Sequence, residues 1–126
     1  ILTEVARASA TTARAPAHQP IVGEALRFIE RRCLSPISLR DVADFVRRSP
    51  SHVATTVKAA TGKTVVGWII AARLAEARRR LLYTDERVEL IAEHVGYVDP
   101  THFIRLFRRE HGATPAAWRA RSRVRG

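Results

Sequence analysis

The chain contains no methionine, one cysteine and only two lysines in 126 residues. A single thiol, Cys33, excludes an intrachain disulfide and any zinc site built on cysteine pairs, and it fits a reducing compartment. No apolar run approaches the ~18 residues of a transmembrane helix, and the N-terminus lacks the layout of a signal peptide. Nucleophile-elbow, phosphate-binding glycine-loop and paired-carboxylate motifs are also missing, so the sequence offers no enzyme chemistry. A chain that lacks Met and begins with Ile is expected to be the C-terminal part of a larger protein.

What is present is positive charge. Twenty-two Lys+Arg face twelve Asp+Glu, for a net +10, and twenty of the cations are Arg. A guanidinium binds phosphate as a planar fork, which points to nucleic acid. Hydrophobic content of 46% is that of an ordinary globular protein. Residues 1–20, rich in Ala, Thr and Pro, read as a linker or the end of a preceding domain.

Helical signals then follow almost without pause, and no stretch alternates as a strand would. The expected fold is all-α with about seven helices. Val22, Leu26, Ile29 and Cys33 share one face of a helix near 21–33, which makes Cys33 a buried structural thiol. Ser38 with Asp41 forms an N-terminal cap for a helix over 39–46, with Ile37 and Val42 as a staple. Ser49-Pro50 opens the next helix and Gly62 closes it. Thr64 caps a long helix over 65–83 with the stripe Val66, Ile70, Leu74, Ala77 and Leu81. A short helix follows at 88–95. Asp99-Pro100 opens a helix ending at Gly112, with Val98 and Phe103 as its staple. Thr114-Pro115 begins a last short helix through Trp118, and a loose basic tail, 120–126, carries Arg121, Arg123 and Arg125.

The chain says one thing twice. Ser49-Pro50-Ser51-His52 matches Asp99-Pro100-Thr101-His102, and Gly62, Thr64 and Trp68 match Gly112, Thr114 and Trp118. Ala43 and Ala92 hold the same place in the helix before each turn, where a small side chain lets two helices cross closely. Each copy is a helix-turn-helix, at about 39–61 and 88–111, whose second helix suits the DNA major groove.

The run "LIAEHVGYVDPTHFIRLFRREHGATPAAWR" resembles the signature of the AraC/XylS transcription regulators, and "RLAEARRRLL" resembles that family's linker helix. The resemblance covers residues 21–119. It implies two helix-turn-helix subdomains joined by a linker helix of ~27 Å at 1.5 Å per residue. One chain would then read two successive major grooves. It further implies a sequence-specific DNA-binding transcriptional regulator, usually an activator, in the bacterial cytoplasm and nucleoid. RNA polymerase is the expected partner. This chain is expected to be monomeric, and the full-length protein to dimerise through a separate domain.

By the same resemblance, Thr101 and Arg105 fall where base edges are contacted, and Arg105 suits guanine O6 and N7. Arg108 and Arg109 suit phosphate. The first copy departs from the family: Val57 replaces an aromatic, Thr55 stands where Arg is frequent, and Arg48 stands where an apolar residue is usual. Its candidates for base contact are Ser51, Ala54 and Thr55, with Thr56 and Lys58 nearer the backbone. His52 and His102 match across the repeat but lie on different helices without a second ligand at helical spacing. Phosphate contact or turn packing suits them, and no metal or cofactor is expected. The competing reading is a helical module that binds polyanions without sequence preference.

Overall fold

The structure is a computed structural model that describes residues 19–125. The expected linker therefore lies outside the described residues, except that Gln19 and Pro20 already belong to the first helix. Among the described residues there are seven helices and no strand: α1 (Gln19–Arg32), α2 (Leu39–Val46), α3 (Pro50–Thr61), α4 (Val65–Tyr83), α5 (Val88–His94), α6 (Pro100–His111) and α7 (Pro115–Arg125). The chain divides into two compact units. One holds residues 19–31 and 38–68, the other 32–37 and 69–125. Helix α4 runs through both without a break.

In the first unit α2 packs on α3. Ser38 opens α2: its backbone N–H and its hydroxyl both donate to the Asp41 carboxylate, at 2.8 and 3.0 Å. Val42, Ala43, Val46, Val53 and Val57 are buried, and Ala43 is completely so, as a close helix crossing requires. Half of the expected α1 stripe holds: Ile29 and Cys33 are buried, but the rest of the inward face is Ile21, Ala25 and Phe28, while Val22 and Leu26 are half-covered. The start of α4 differs in the same way. Val65 and Ile69 are buried and Val66 is exposed. Where apolar residues outnumber one stripe, several of them border two candidate faces, and tertiary packing chooses between them. Trp68 donates its indole N–H to Thr61 Oγ1 (2.9 Å) and lies under the Lys63 ammonium.

The second unit is built on one cluster drawn from α4 (Leu74, Ala77, Leu81), α5 (Ile91, Ala92) and α6 (Phe103, Leu106, Phe107), closed by Val95 and Tyr97. Cys33 is buried in the α1–α2 connection, which belongs to this unit. That connection is fastened by Arg73, whose guanidinium donates to the carbonyls of Cys33 (2.6 Å) and Ser35 (2.8 Å) and lies over the Tyr97 ring. The C-terminal segment is not a loose tail. Helix α7 continues to Arg125, and Arg119 donates to the carbonyls of Leu81 and Thr84. Arg123 holds Asp85 at 2.9 Å and the Thr84 carbonyl. The segment lacks an apolar stripe, so its helix was not legible from periodicity. Its arginines instead cap the carbonyls at the end of α4.

The two copies correspond with a slip. Positions 49 apart match through the turns: Val46 with Val95, Arg47 with Gly96, Arg48 with Tyr97. Arg47 and Gly96 both have positive φ, 62° and 103°. The amides of Arg48 and Tyr97 reach the carbonyls of Ala43 and Ala92, at 3.1 and 2.9 Å. From the caps onward the match is 50 apart, Ser49 with Asp99. The additional residue is Val98, and it is fully exposed. It is therefore not the staple expected for α6. Tyr97 takes that place, with its ring 5.7 Å from Phe103.

Candidate nucleic-acid interface

Helix α6 begins at Asp99, whose carboxylate accepts the Thr101 amide (3.0 Å), with Pro100 at its first position. It ends at Gly112, where φ is 78°. At 3.6 residues per turn, Thr101, His102, Arg105, Arg108 and Arg109 fall within an arc of about 120°. All five are exposed. The opposite arc carries Phe103 and Phe107, both completely buried, with Leu106 beside them. Phe107 stacks on His111 (4.3 Å between centroids) and meets Trp118 edge-on (5.8 Å). The cationic face thus stands on a rigid aromatic base. The guanidinium groups of Arg105 and Arg108 have no hydrogen-bond partner among the described residues, whereas that of Arg109 contacts Glu110 (3.2 Å). The His102 ring stands edge-on to Tyr97 at 5.5 Å.

Helix α3 repeats the geometry with weaker chemistry. The Ser49 hydroxyl accepts the His52 amide (3.2 Å), and Gly62 ends the helix at φ 80°. Ser51, Thr55 and Lys58 are exposed on the arc that corresponds to the α6 face and His52 is half-exposed there, while the half-exposed Ala54 lies beside that arc, in the place of Ile104. Lys58 donates to the Gly62 carbonyl at 2.9 Å, so part of its donor capacity is engaged. Thr56 corrects the expectation. It is 6% exposed and faces the core, which removes it from a phosphate-contacting face. The repeat held the signal, because Thr56 corresponds to Leu106, which is also buried.

The structure also brings together polar groups that sequence reading had not paired. Arg78 donates to His111 Nε2 (2.8 Å), which leaves the proton on Nδ1, 3.3 Å from the Phe107 carbonyl. Burial pushes the His111 pKa below its usual value, and Arg78 adds to that. Arg80 holds Glu86 (3.1 Å) and Glu76 (2.9 Å), and Glu86 also meets His94 Nδ1 (2.7 Å). Despite burial, the hydrogen bonds from Arg80 and His94 keep the Glu86 pKa low. Arg73, Arg78, Arg80, Arg119 and Arg123 thus bond to the protein itself. Sequence alone does not separate such structural arginines from those free to meet phosphate.

A duplicated helix-turn-helix on a basic chain, with a capped second helix whose outer face is cationic, defines a DNA-binding domain. Comparison with known proteins gives the family. Residues 42–121, more than half of the chain, match the family described as "Helix-turn-helix domain". The chain belongs to it, and within it to the AraC/XylS type. The transcriptional activator NphR of Rhodococcus is 45% identical over 83 residues, 66% of this chain and 24% of that protein. The DNA-binding domain of the global transcriptional factor AdpA, solved in complex with a target DNA, superposes with a TM-score of 0.77 at 26% identity. That match covers 82% of this chain and 94% of that one. A transcriptional regulator of Chromobacterium violaceum described as AraC-type gives 0.76 at 27% identity, over 82% and 93% of the two chains. The chain spans only 36–46% of the length of several curated relatives that it matches. The family is one of regulatory DNA-binding domains, not of enzymes.

Proposed function

We propose that the chain is the DNA-reading part of a transcriptional activator, acting on double-stranded DNA with α3 and α6 in successive major grooves. The observation that carries this reading is the outer face of α6, where the Arg105 and Arg108 side chains project with no partner among the described residues, above the buried Phe103 and Phe107. Arg105 reads guanine through O6 and N7, and Thr101 contacts the neighbouring base. Ser51, Ala54 and Thr55 contact bases through short side chains suited to thymine methyls. His52, Lys58, His102, Arg108 and Arg109 meet phosphate, which positions the helices without reading sequence. Activation is supported by the name of the Rhodococcus relative and implies contact with RNA polymerase in the cytoplasm, at the nucleoid. The isolated chain binds DNA as a monomer, and further domains of the full protein supply dimerisation and effector control.

The test is Arg105→Ala, with binding isotherms on an operator selected from a random pool and on unrelated duplex at several salt concentrations. The loss is expected to be ~1–3 kcal/mol on the operator and small on unrelated DNA, with preference relaxed at one base pair. Arg108→Ala is expected to weaken both DNAs alike and to lower the salt slope by about one unit. Equal losses for Arg105→Ala on both DNAs would make α6 a carrier of charge and favour the non-specific polyanion module.

A further inference from the structure

Four of the first unit's arginines gather at one groove beside α1 and the α2–α3 turn. Arg27 and Arg31 on α1 and Arg47 and Arg48 in the α2–α3 turn border a groove of about 690 Å³, in which Glu24 is the one acidic residue among those described. All four arginines are exposed. None of them makes an ion pair with a described residue, and their nearness opposes folding through mutual repulsion. The repeat shows that the turn could be built otherwise. In the second copy the corresponding pair is Gly96-Tyr97, a glycine at the positive-φ position followed by a buried ring. In the first copy Arg47 occupies the left-handed position at φ 62° and Arg48 stays outside. A strained backbone that carries a cation marks a place where something other than stability sets the residue.

The floor of the groove is apolar. Phe45 is 48% exposed and stacks on Phe28 at 4.6 Å, beside the buried Ile21 and Val46. A duplex backbone is convex and polar, and it gives a phenyl ring little to bury against. A concave apolar floor with a guanidinium rim suits a segment that brings one apolar anchor and flanking carboxylates.

We propose that this groove docks an acidic segment of a partner protein, with an aromatic or aliphatic side chain of that segment on Phe45 and its carboxylates paired with Arg27, Arg31, Arg47 and Arg48. The inference goes beyond DNA reading and does not depend on it.

The test uses the whole chain and a fluorescein-labelled octapeptide of six Asp/Glu residues around a central Phe-Leu, read by anisotropy. A second peptide carries Ser at both apolar positions. The Phe-Leu peptide is expected to bind, with the Ser peptide at least fivefold weaker. Arg27→Gln/Arg31→Gln is expected to weaken the Phe-Leu peptide at least tenfold while leaving operator DNA within threefold. Phe45→Ala changes no charge, and it is expected to bring the two peptides to equal affinity. Circular dichroism checks that each variant is folded. Absence of binding, equal affinity of the wild-type chain for both peptides, or peptide binding indifferent to these substitutions overturns the proposal. So does a loss of operator binding in Arg27→Gln/Arg31→Gln as large as the peptide loss, because the groove would then be a contact for the DNA backbone.

Discussion

The same backbone position carries Arg in one copy of the repeat and Gly in the other, so related substitutions should move stability in opposite directions. Arg47 sits at φ 62°, ψ 45°. An L-residue in the left-handed region costs ~1–2 kcal/mol, and glycine removes that cost. Glycine also frees the unfolded chain, which costs ~0.4–1 kcal/mol in return. The capping bond from the Arg47 amide to the Asp44 carbonyl belongs to the backbone and survives. Arg47→Gly is therefore expected to stabilise the first unit by about 0.5 kcal/mol. Gly96→Ala runs the other way. Its φ is 103°, and an added Cβ would lie 3.1 Å from Arg73 Nε and 3.2 Å from the Leu34 carbonyl oxygen. Arg73 cannot yield freely, because it is held by the carbonyls of Cys33 and Ser35. Strain and crowding together should cost about 2 kcal/mol after the entropic gain. Each unit has its own reporter, Trp68 in the first and Trp118 in the second. Denaturant titrations of Trp118→Phe and Trp68→Phe backgrounds follow the units separately. For units of this size, 1 kcal/mol corresponds to roughly 4–8 °C in Tm. Destabilisation by Arg47→Gly, or a neutral Gly96→Ala, would refute the reasoning.

Three further outcomes follow from the packing. Phe107→Ala should cost ~3–5 kcal/mol, because it empties a completely buried site between Phe103, His111 and Trp118; thermal denaturation of the second unit checks it. The His111 pKa is lowered in the fold by burial and by Arg78, so the unfolded chain takes up the proton first as pH falls. Stability from this group is then complete above the unfolded value near 6.5 and is lost as pH falls through the lower folded value, a loss that His111→Gln should remove from the pH profile of unfolding. Ala75→Pro, in the exposed middle of α4, should cost ~3 kcal/mol or more. It should abolish specific DNA binding, and a footprint retained over both half-sites would show that α4 does not set their spacing.

The helices were legible because their signals are local. Serine, threonine and aspartate caps, proline at the first position and glycine past the last turn act within four residues of themselves. Ser49, Asp99, Gly62 and Gly112 stand where such rules put them. The repeat supplied the architecture, since two copies in register mean two helix-turn-helix units. It also carried the burial of Thr56, through Leu106, and the surplus residue Val98, through the change of spacing at the turn. The cationic face of α6 was legible too, because the period of Phe103 and Phe107 fixes which arc is left outside. Which side of α1 and of the first turns of α4 faces inward was decided only by the fold. There the apolar residues outnumber one stripe, and the neighbouring helices select Ile21 over Val22 and Val65 over Val66. The fate of each arginine was likewise a tertiary matter. Arg73, Arg78, Arg119 and Arg123 find carbonyls, a histidine or a carboxylate at least 33 positions away in sequence, whereas the guanidinium groups of Arg105 and Arg108 find no partner among the described residues. A guanidinium reads the same in either role, and only the chain folded around it determines whether its donors are already taken.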